Sequence, residues 1–231
     1  TRFLPMHVPE APGQTLRRLA AMDAAAEPAD TYGDSGAVTR LERRCAELLA
    51  KPAARFFIKG MMAQACAMTV HAEARRTRNI VIHAKSHIAL DEADSIERVA
   101  GLTTIRLGSS DPFTVADLKA VTEPIGAVVV ELPLRRSGFL LPPLDDLRAI
   151  SAWCRGQGVP LHFDGARLWE AAAAYDLPLA DLAALADSVY VSFYKGLGGL
   201  GGAMLLGDPA FMAATEVWKH RHSGNVFTVF P

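Results

Sequence analysis

Seven short apolar runs rich in β-branched residues recur along this chain, each separated from the next by a stretch long enough for a helix. They are Ala53–Ile58, Asn79–His83, Thr103–Leu107, Ile125–Glu131, Val159–Phe163, Ser188–Phe193 and Ala203–Leu206. Val128-Val129-Val130 and Val189-Tyr190-Val191 carry no polar alternation. A strand needs none when both of its faces are covered. Between the runs, Val38–Ala50 spaces Val38, Leu41, Cys45, Leu48 and Leu49 for one helical face, with Ser35 placed to cap it. Leu144–Cys154 repeats the pattern with Leu144, Leu147, Ile150 and Trp153, and Pro209–Arg221 reads as a further helix. Strands alternating with such helices build βαβ units. The predicted fold class is therefore α/β, a three-layer α/β/α domain around a mostly parallel seven-stranded sheet.

Composition narrows the class further. Of 231 residues, 50% are hydrophobic and 21% charged, the balance of a chain with a sizeable core. Lys plus Arg number 24 against 25 Asp plus Glu, a formal charge of −1. Nucleic-acid backbones are held by surplus cations, so no nucleic-acid partner is expected. No apolar run reaches the ~18 residues of a bilayer span, so no membrane partner is expected either. Thr1-Arg2-Phe3-Leu4-Pro5 has no signal-peptide core, and three scattered cysteines (Cys45, Cys66, Cys154) suggest buried thiols in a reducing compartment. A cytoplasmic location is the expectation. Residues 1–31, with Ala-rich Ala20–Asp30, are expected to form an N-terminal helix and arm, residues 32–222 the large domain, and residues 223–231 the start of a further C-terminal segment.

Four places could carry chemistry. The run Ser192-Phe193-Tyr194-Lys195-Gly196-Leu197-Gly198 puts a lysine just beyond an apolar strand, where ligands of open α/β sheets bind. Walled by Phe193, Tyr194 and Leu197, its amine would be partly desolvated, and a neutral amine is what Schiff-base chemistry requires. Gly196, Gly198 and Gly201 also spell G-x-G-x-x-G, with Glu216 twenty residues beyond Gly196. That dinucleotide fingerprint must open a helix, whereas Gly202 runs into the strand-like Ala203-Met204-Leu205-Leu206. The second place, Asp164-Gly165-Ala166-Arg167, follows another strand one strand–helix–strand repeat earlier. A carboxylate there could keep a pyridine nitrogen protonated. Third, Phe57-Ile58-Lys59-Gly60-Met61-Met62 turns from a strand straight into a helix, whose free N–H groups suit a phosphate. Fourth, His83 and His87 follow a strand; no cysteine or acid beside them completes a metal set, and His87 could instead lie over a cofactor ring. No metal is expected.

Together these motifs resemble the threonine aldolase/β-eliminating lyase family. The match rests on Asp-Gly-Ala-Arg-Leu at Asp164–Leu168, Lys-Gly-Leu-Gly at Lys195–Gly198, Ser86-His87 after a strand, and Tyr32-Gly33 before Leu41-Glu42. It runs from about Tyr32 to Trp218. The resemblance implies the fold-type-I architecture and a pyridoxal 5′-phosphate cofactor. Lys195 would hold the cofactor as an internal aldimine, Asp164 would pair with its ring nitrogen, and His87 would stack on the ring. Arg167 would face the cofactor hydroxyl and the substrate carboxylate, Gly60 and Met61 would cradle the phosphate, and Ser192 would line the cofactor site. Lys195 and His87 are the catalytic candidates.

Departures from the family pattern bear on the reaction. The Ser-Gly-Thr phosphate turn reads Lys59-Gly60-Met61, which loses a hydroxyl and keeps the amides. The Glu-Asn-Thr-His stretch reads Glu131-Leu132-Pro133-Leu134, which removes a histidine linked to the substrate hydroxyl. Phe227 stands where the family has an arginine, no Ser-Asp-Thr counterpart occurs in Thr1–Asp30, and the family's small C-terminal domain has no counterpart in this sequence. The expected activity is a low-specificity, threonine aldolase-like lyase acting on an amino acid substrate, as a homodimer or homotetramer. Other reactions of the same cofactor (β-elimination, racemisation, transamination) and a non-catalytic relative stay open at this point. Joint retention of Lys195, Asp164 and Arg167 disfavours the last.

Overall fold

A computed structural model describes residues 10–34 and 36–229. Its strands are β1 (Ala53–Phe57), β2 (Asn79–His83), β3 (Thr103–Leu107), β4 (Ala127–Glu131), β5 (Leu161–Gly165), β6 (Ser188–Ser192) and β7 (Ala203–Gly207). Its helices are α1 (Pro12–Ala20), α2 (Gly36–Leu48), α3 (Gly60–Ala74), α4 (His87–Leu90), α5 (Ser95–Arg98), α6 (Val115–Ala120), α7 (Leu144–Gln157), α8 (Leu168–Tyr175), α9 (Leu179–Ala183) and α10 (Pro209–Arg221). All seven predicted strands form. Three differ by one residue at an end and two shift by two residues: the run at Ile125 begins pairing only at Ala127, and the fifth strand spans Leu161–Gly165, so Asp164 lies inside it rather than after it. Near the N-terminus the helix ends at Ala20, and only a 3-10 turn (Asp23–Ala26) follows, so most of the Ala-rich stretch expected to be helical lies beyond it. The expected cap Ser35 falls outside the described residues.

The sheet order is β1-β7-β6-β5-β4-β2-β3. The pairs from β6 through β3 are parallel, while β7 runs antiparallel to both β1 and β6. The short connection from Ser192 to Ala203 explains the reversal, because a parallel return needs a crossover of a dozen residues or more. Phe193 N donates to Gly202 O at 3.3 Å, and Gly199 N to Phe193 O at 2.7 Å. The glycines are spent on this reversal and not on a dinucleotide.

Alternate residues of each strand leave opposite faces. On one face Val128, Val130, Leu161, Phe163, Val189 and Val191 pack with Leu147, Ile150 and Cys154 of α7 and Leu168 and Ala172 of α8. On the other, Ala63, Cys66, Ala67 and Val70 of α3 meet Tyr190, Ala203 and Leu205 and the α10 residues Phe211 and Met212. Helix α3 is apolar on nearly all sides, as a helix between a sheet and another helix should be. The three cysteines are buried free thiols, pushed by burial to about 11 for Cys45 and about 12 for Cys66 and Cys154. Among the described residues, no helix is long and apolar enough to cross a membrane.

Candidate active site

The carboxyl ends of β4, β5 and β6, with the loops that follow β1 and β2, enclose a cavity of about 530 Å³. That is within the usual 300–1,000 Å³ of small-molecule sites. Lys59, Met61, His87, Glu131, Asp164, Arg167, Tyr190, Tyr194 and Lys195 all line it. Residues scattered over more than a hundred sequence positions thus converge because parallel strands deliver their ends to one edge.

Lys195 sits three residues past β6, with Nζ 4.8 Å from the centre of the Tyr194 ring. Burial, and then the cations Arg167, Arg135 and Lys59, hold its pKa below the usual lysine range. Of the three side chains expected to wall it, only Tyr194 does. Phe193 turns away to stack on Phe56 at 6.4 Å, and Leu197 is half exposed. The loop is fixed from below, since a Cβ at Gly196 would collide with the Glu170 carboxylate of α8.

Asp164 is fully buried. Its Oδ1 accepts a hydrogen bond from Ala166 N at 3.3 Å, and its Oδ2 lies 2.9 Å from His87 Nδ1. Burial by itself would raise the pKa of this carboxyl; His87 and the Gln64 amide outweigh it and hold the group ionised. For His87 the same contest runs in reverse. Burial would lower its pKa, but Asp164 and Glu131 carry it up to about 10.

Glu131, which closes β4, was not among the predicted site residues. Its carboxylate accepts His87 N at 2.8 Å and Arg135 N at 3.0 Å, clamping the loops after β2 and β4 together. Its signal in the sequence was a lone acid ending the all-apolar run Ala127–Val130. His83 does not join His87. It is buried, with Nε2 2.8 Å from Asp111 O and Nδ1 accepting Lys85 N at 2.9 Å. The acids that approach His87, Glu131 and Asp164, come from distant strands, with ligand-type atoms within 4.8 Å of one another.

Arg167 caps the start of α8 and is nearly buried, its guanidinium 5.0 Å above the Phe139 ring. Phe139 holds φ +64°, a region costly for a bulky side chain. Arg135 and Arg136 both pair with Asp91 at the rim. Of the altered stretch, Leu132 and Leu134 are buried and only Pro133 reaches the cavity. Phe227 stays outside the cavity, edge-on to Tyr32 at 5.4 Å.

At Gly60 the first turn of α3 opens toward the cavity, flanked by Lys59 and Met61 in its lining. A Cβ on Gly60 would collide with the Tyr190 hydroxyl, so only glycine fits. Ser192 is fully buried beside the Tyr190 hydroxyl, and it does not line the cavity.

A mostly parallel seven-stranded sheet with one reversed strand, and a lysine on the loop entering that strand, define the large domain of the fold-type-I architecture. The chain belongs to the β-eliminating lyase family, whose profile matches residues 13–228. It is 36% identical over 204 residues to the aldolase vrtJ of Penicillium aethiopicum, covering 84% of this chain and 52% of that one. It is 26% identical over 203 residues to the low specificity L-threonine aldolase of Saccharomyces cerevisiae, again covering 84% and 52%. Among solved structures, a Listeria monocytogenes protein provisionally assigned as an L-allo-threonine aldolase superposes with a TM-score of 0.92 at 36% identity, over 98% of this chain and 63% of that one. The chain spans about half the length of these curated relatives.

Proposed function

We propose that this protein is a pyridoxal 5′-phosphate-dependent lyase that splits the Cα–Cβ bond of β-hydroxy-α-amino acids, releasing glycine and an aldehyde. The observation that carries the reading is the convergence of Lys195, Asp164, Arg167 and the open first turn of α3 on one cavity. The donor set fits the cofactor: a depressed lysine for its aldehyde, an ionised buried carboxylate for its ring nitrogen, and a glycine-only helix start for its phosphate. When bound, the cofactor supplies a cationic ring that takes up the electron pair left on the substrate α-carbon.

The protein's residues do the rest. Gly60 and Met61 hold phosphate through main-chain N–H groups reinforced by the α3 dipole, and the Lys59 ammonium adds charge where the family has a hydroxyl. Asp164 keeps the ring nitrogen protonated. Arg167 takes the substrate carboxylate as a charge-assisted pair. His87, held protonated on Asp164 in this structure, stacks over the ring, and it must release that proton before it can receive one from the β-hydroxyl.

A second reading, another reaction of the same cofactor such as β-elimination, racemisation or transamination, draws on the wall at Pro133, the one residue of Leu132-Pro133-Leu134 that reaches the cavity. It brings no acid or base to the cavity. On that wall the β-hydroxyl is poorly read, so threo and erythro substrates are discriminated weakly and bulkier β-substituents are tolerated.

Cofactor-loaded protein assayed with L-threonine, L-allo-threonine and a phenylserine should release glycine and aldehyde with similar kcat/KM for the two threonines. Keto-acid release without glycine would replace the aldolase reading with the second one, and a large preference for one diastereomer would show that a polar group reads the hydroxyl. Borohydride reduction of the loaded protein should tag the peptide containing Lys195. The working form proposed is a homodimer or homotetramer, checked by sedimentation.

A further inference from the structure

Behind Asp164, on the face that α3 covers, runs a polar stripe that the proposed chemistry does not use. His162 stands two residues before Asp164 on β5, so both side chains leave the same face. Their register partners on β6 are Ser188 and Tyr190. Ser188 Oγ lies 2.7 Å from His71 Nε2 and 2.8 Å from His162 Nδ1. Gln64 and His71, two turns apart on α3, cover the stripe. Gln64, His162 and Ser188 are fully buried, and His71 is 7% exposed.

Such a core is costly to fold, because each buried polar group that is incompletely paired gives up hydrogen bonds it made to water. One strand over, β7 fills the same face with Ala203 and Leu205 alone. Packing gives no reason for two imidazoles, a hydroxyl and an amide in one line.

The hydroxyl ties the line together. With one proton and two lone pairs it can donate to at most one of the two imidazoles, so at least one ring must donate its N–H to Ser188. Burial pushes His71 down to about 4 and His162 to about 3. Both rings are neutral at pH 7. Asp187 and Asp208 act on His71, Asp164 acts on His162, and His87 and Tyr190 face Asp164. Uncharged, preorganised dipoles support a carboxylate without cancelling its charge. That charge stays available to a cation in the cavity.

We propose that His71, Ser188 and His162, with Gln64, are positioning residues that keep Asp164 ionised and aimed into the cavity at the cofactor's ring nitrogen. This rests on the cofactor assignment above. The test is pyridoxal 5′-phosphate binding to wild type and Ser188→Ala, followed by the cofactor's visible absorbance across pH. Ser188→Ala removes only the shared hydroxyl. The pH at which the absorbance band changes should move by up to about one unit, and the cofactor Kd should rise. A variant with a lower Tm but unchanged Kd and unchanged band would overturn the proposal, leaving the stripe merely structural. Should the variant fail to fold, ¹⁵N-histidine spectra of wild type decide. Adding cofactor should shift the ring nitrogens of His162 and also of His71, at the far end of the line, and a silent His71 overturns the proposal. A wild type that binds no cofactor overturns the functional reading itself, and this inference with it.

Discussion

Acid should destabilise this protein early, and the two buried imidazoles set the size of the effect. Above pH 6.5 His71 and His162 are neutral both folded and unfolded, so they contribute no pH dependence. Below 6.5 the unfolded chain takes up protons that the folded protein, with these rings held near 4 and 3, does not. Stability therefore falls as pH falls, until those lower values are reached. By pH 5 each ring has cost about 2 kcal/mol, and the pair about 4 kcal/mol. Against a total of roughly 5–15 kcal/mol this is a large share, and for a chain of this length it corresponds to a Tm lower by roughly 8–16 °C. His87 does not mask it. Its raised pKa gives stability that is complete below 6.5 and is lost only as pH rises from 6.5 toward 10. The assay is the Tm of cofactor-free protein at pH 7 and pH 5, for wild type and for His71→Gln, whose amide can still bond Ser188. The variant should lose about half of the acid dependence. A wild-type Tm that is flat over this range, or a variant with an unchanged slope, would refute the argument that these rings are buried and neutral.

Three further outcomes are expected. Gly60→Ala forces a methyl onto the Tyr190 hydroxyl within a packed layer, an overpacking cost of about 1–3 kcal/mol; Tyr190→Phe in the same chain should restore part of the lost Tm, and no restoration would remove the contact from the argument. Glu131→Gln removes a charge that helps hold the His87 pKa up, so the His87 ring should titrate at lower pH than in wild type by NMR. Asp164→Asn should leave the ring nitrogen of bound cofactor unprotonated and cut turnover by at least about tenfold; full turnover with an unchanged cofactor spectrum would dismiss the assigned role.

The strands were legible because each is a short apolar island, and Val128-Val129-Val130 could hardly be anything but a two-faced buried strand. What an apolar island lacks is direction. Ala203-Met204-Leu205-Leu206 reads identically forwards and backwards, and only the brevity of the Ser192–Ala203 connection betrays the antiparallel β7. Lys195, Asp164 and Arg167 were legible from motifs that bring each beyond or near a strand end, and they meet in one cavity. Glu131 and Tyr190 were not, because each is a single polar group at or within an apolar run, and its purpose lies in partners from distant segments. The His71–Ser188–His162 line was invisible for the same reason: its three members come from α3, β6 and β5, and no local pattern joins them.

The reversed strand also dictates an order of assembly. Among the described residues, strand β1 has β7 as its only neighbour in the sheet, with Ala53 against Gly207 and Phe57 against Ala203. On a ribosome, β1 and α3 emerge long before the strand that will hold them. Until β7 arrives, β1 has no strand to pair with and is held from the side of α2, where the Glu42 carboxylate accepts Phe56 N at 2.8 Å. Closing so wide a loop is entropically slow. The parallel half from β2 to β6 can form first, carrying Glu131 and Asp164. The Lys195 side of the cavity is completed last, when the hairpin between β6 and β7 closes. A nascent chain stalled before Ala203 would thus carry Glu131 and Asp164 on paired strands while Lys195 still lay on an unclosed loop.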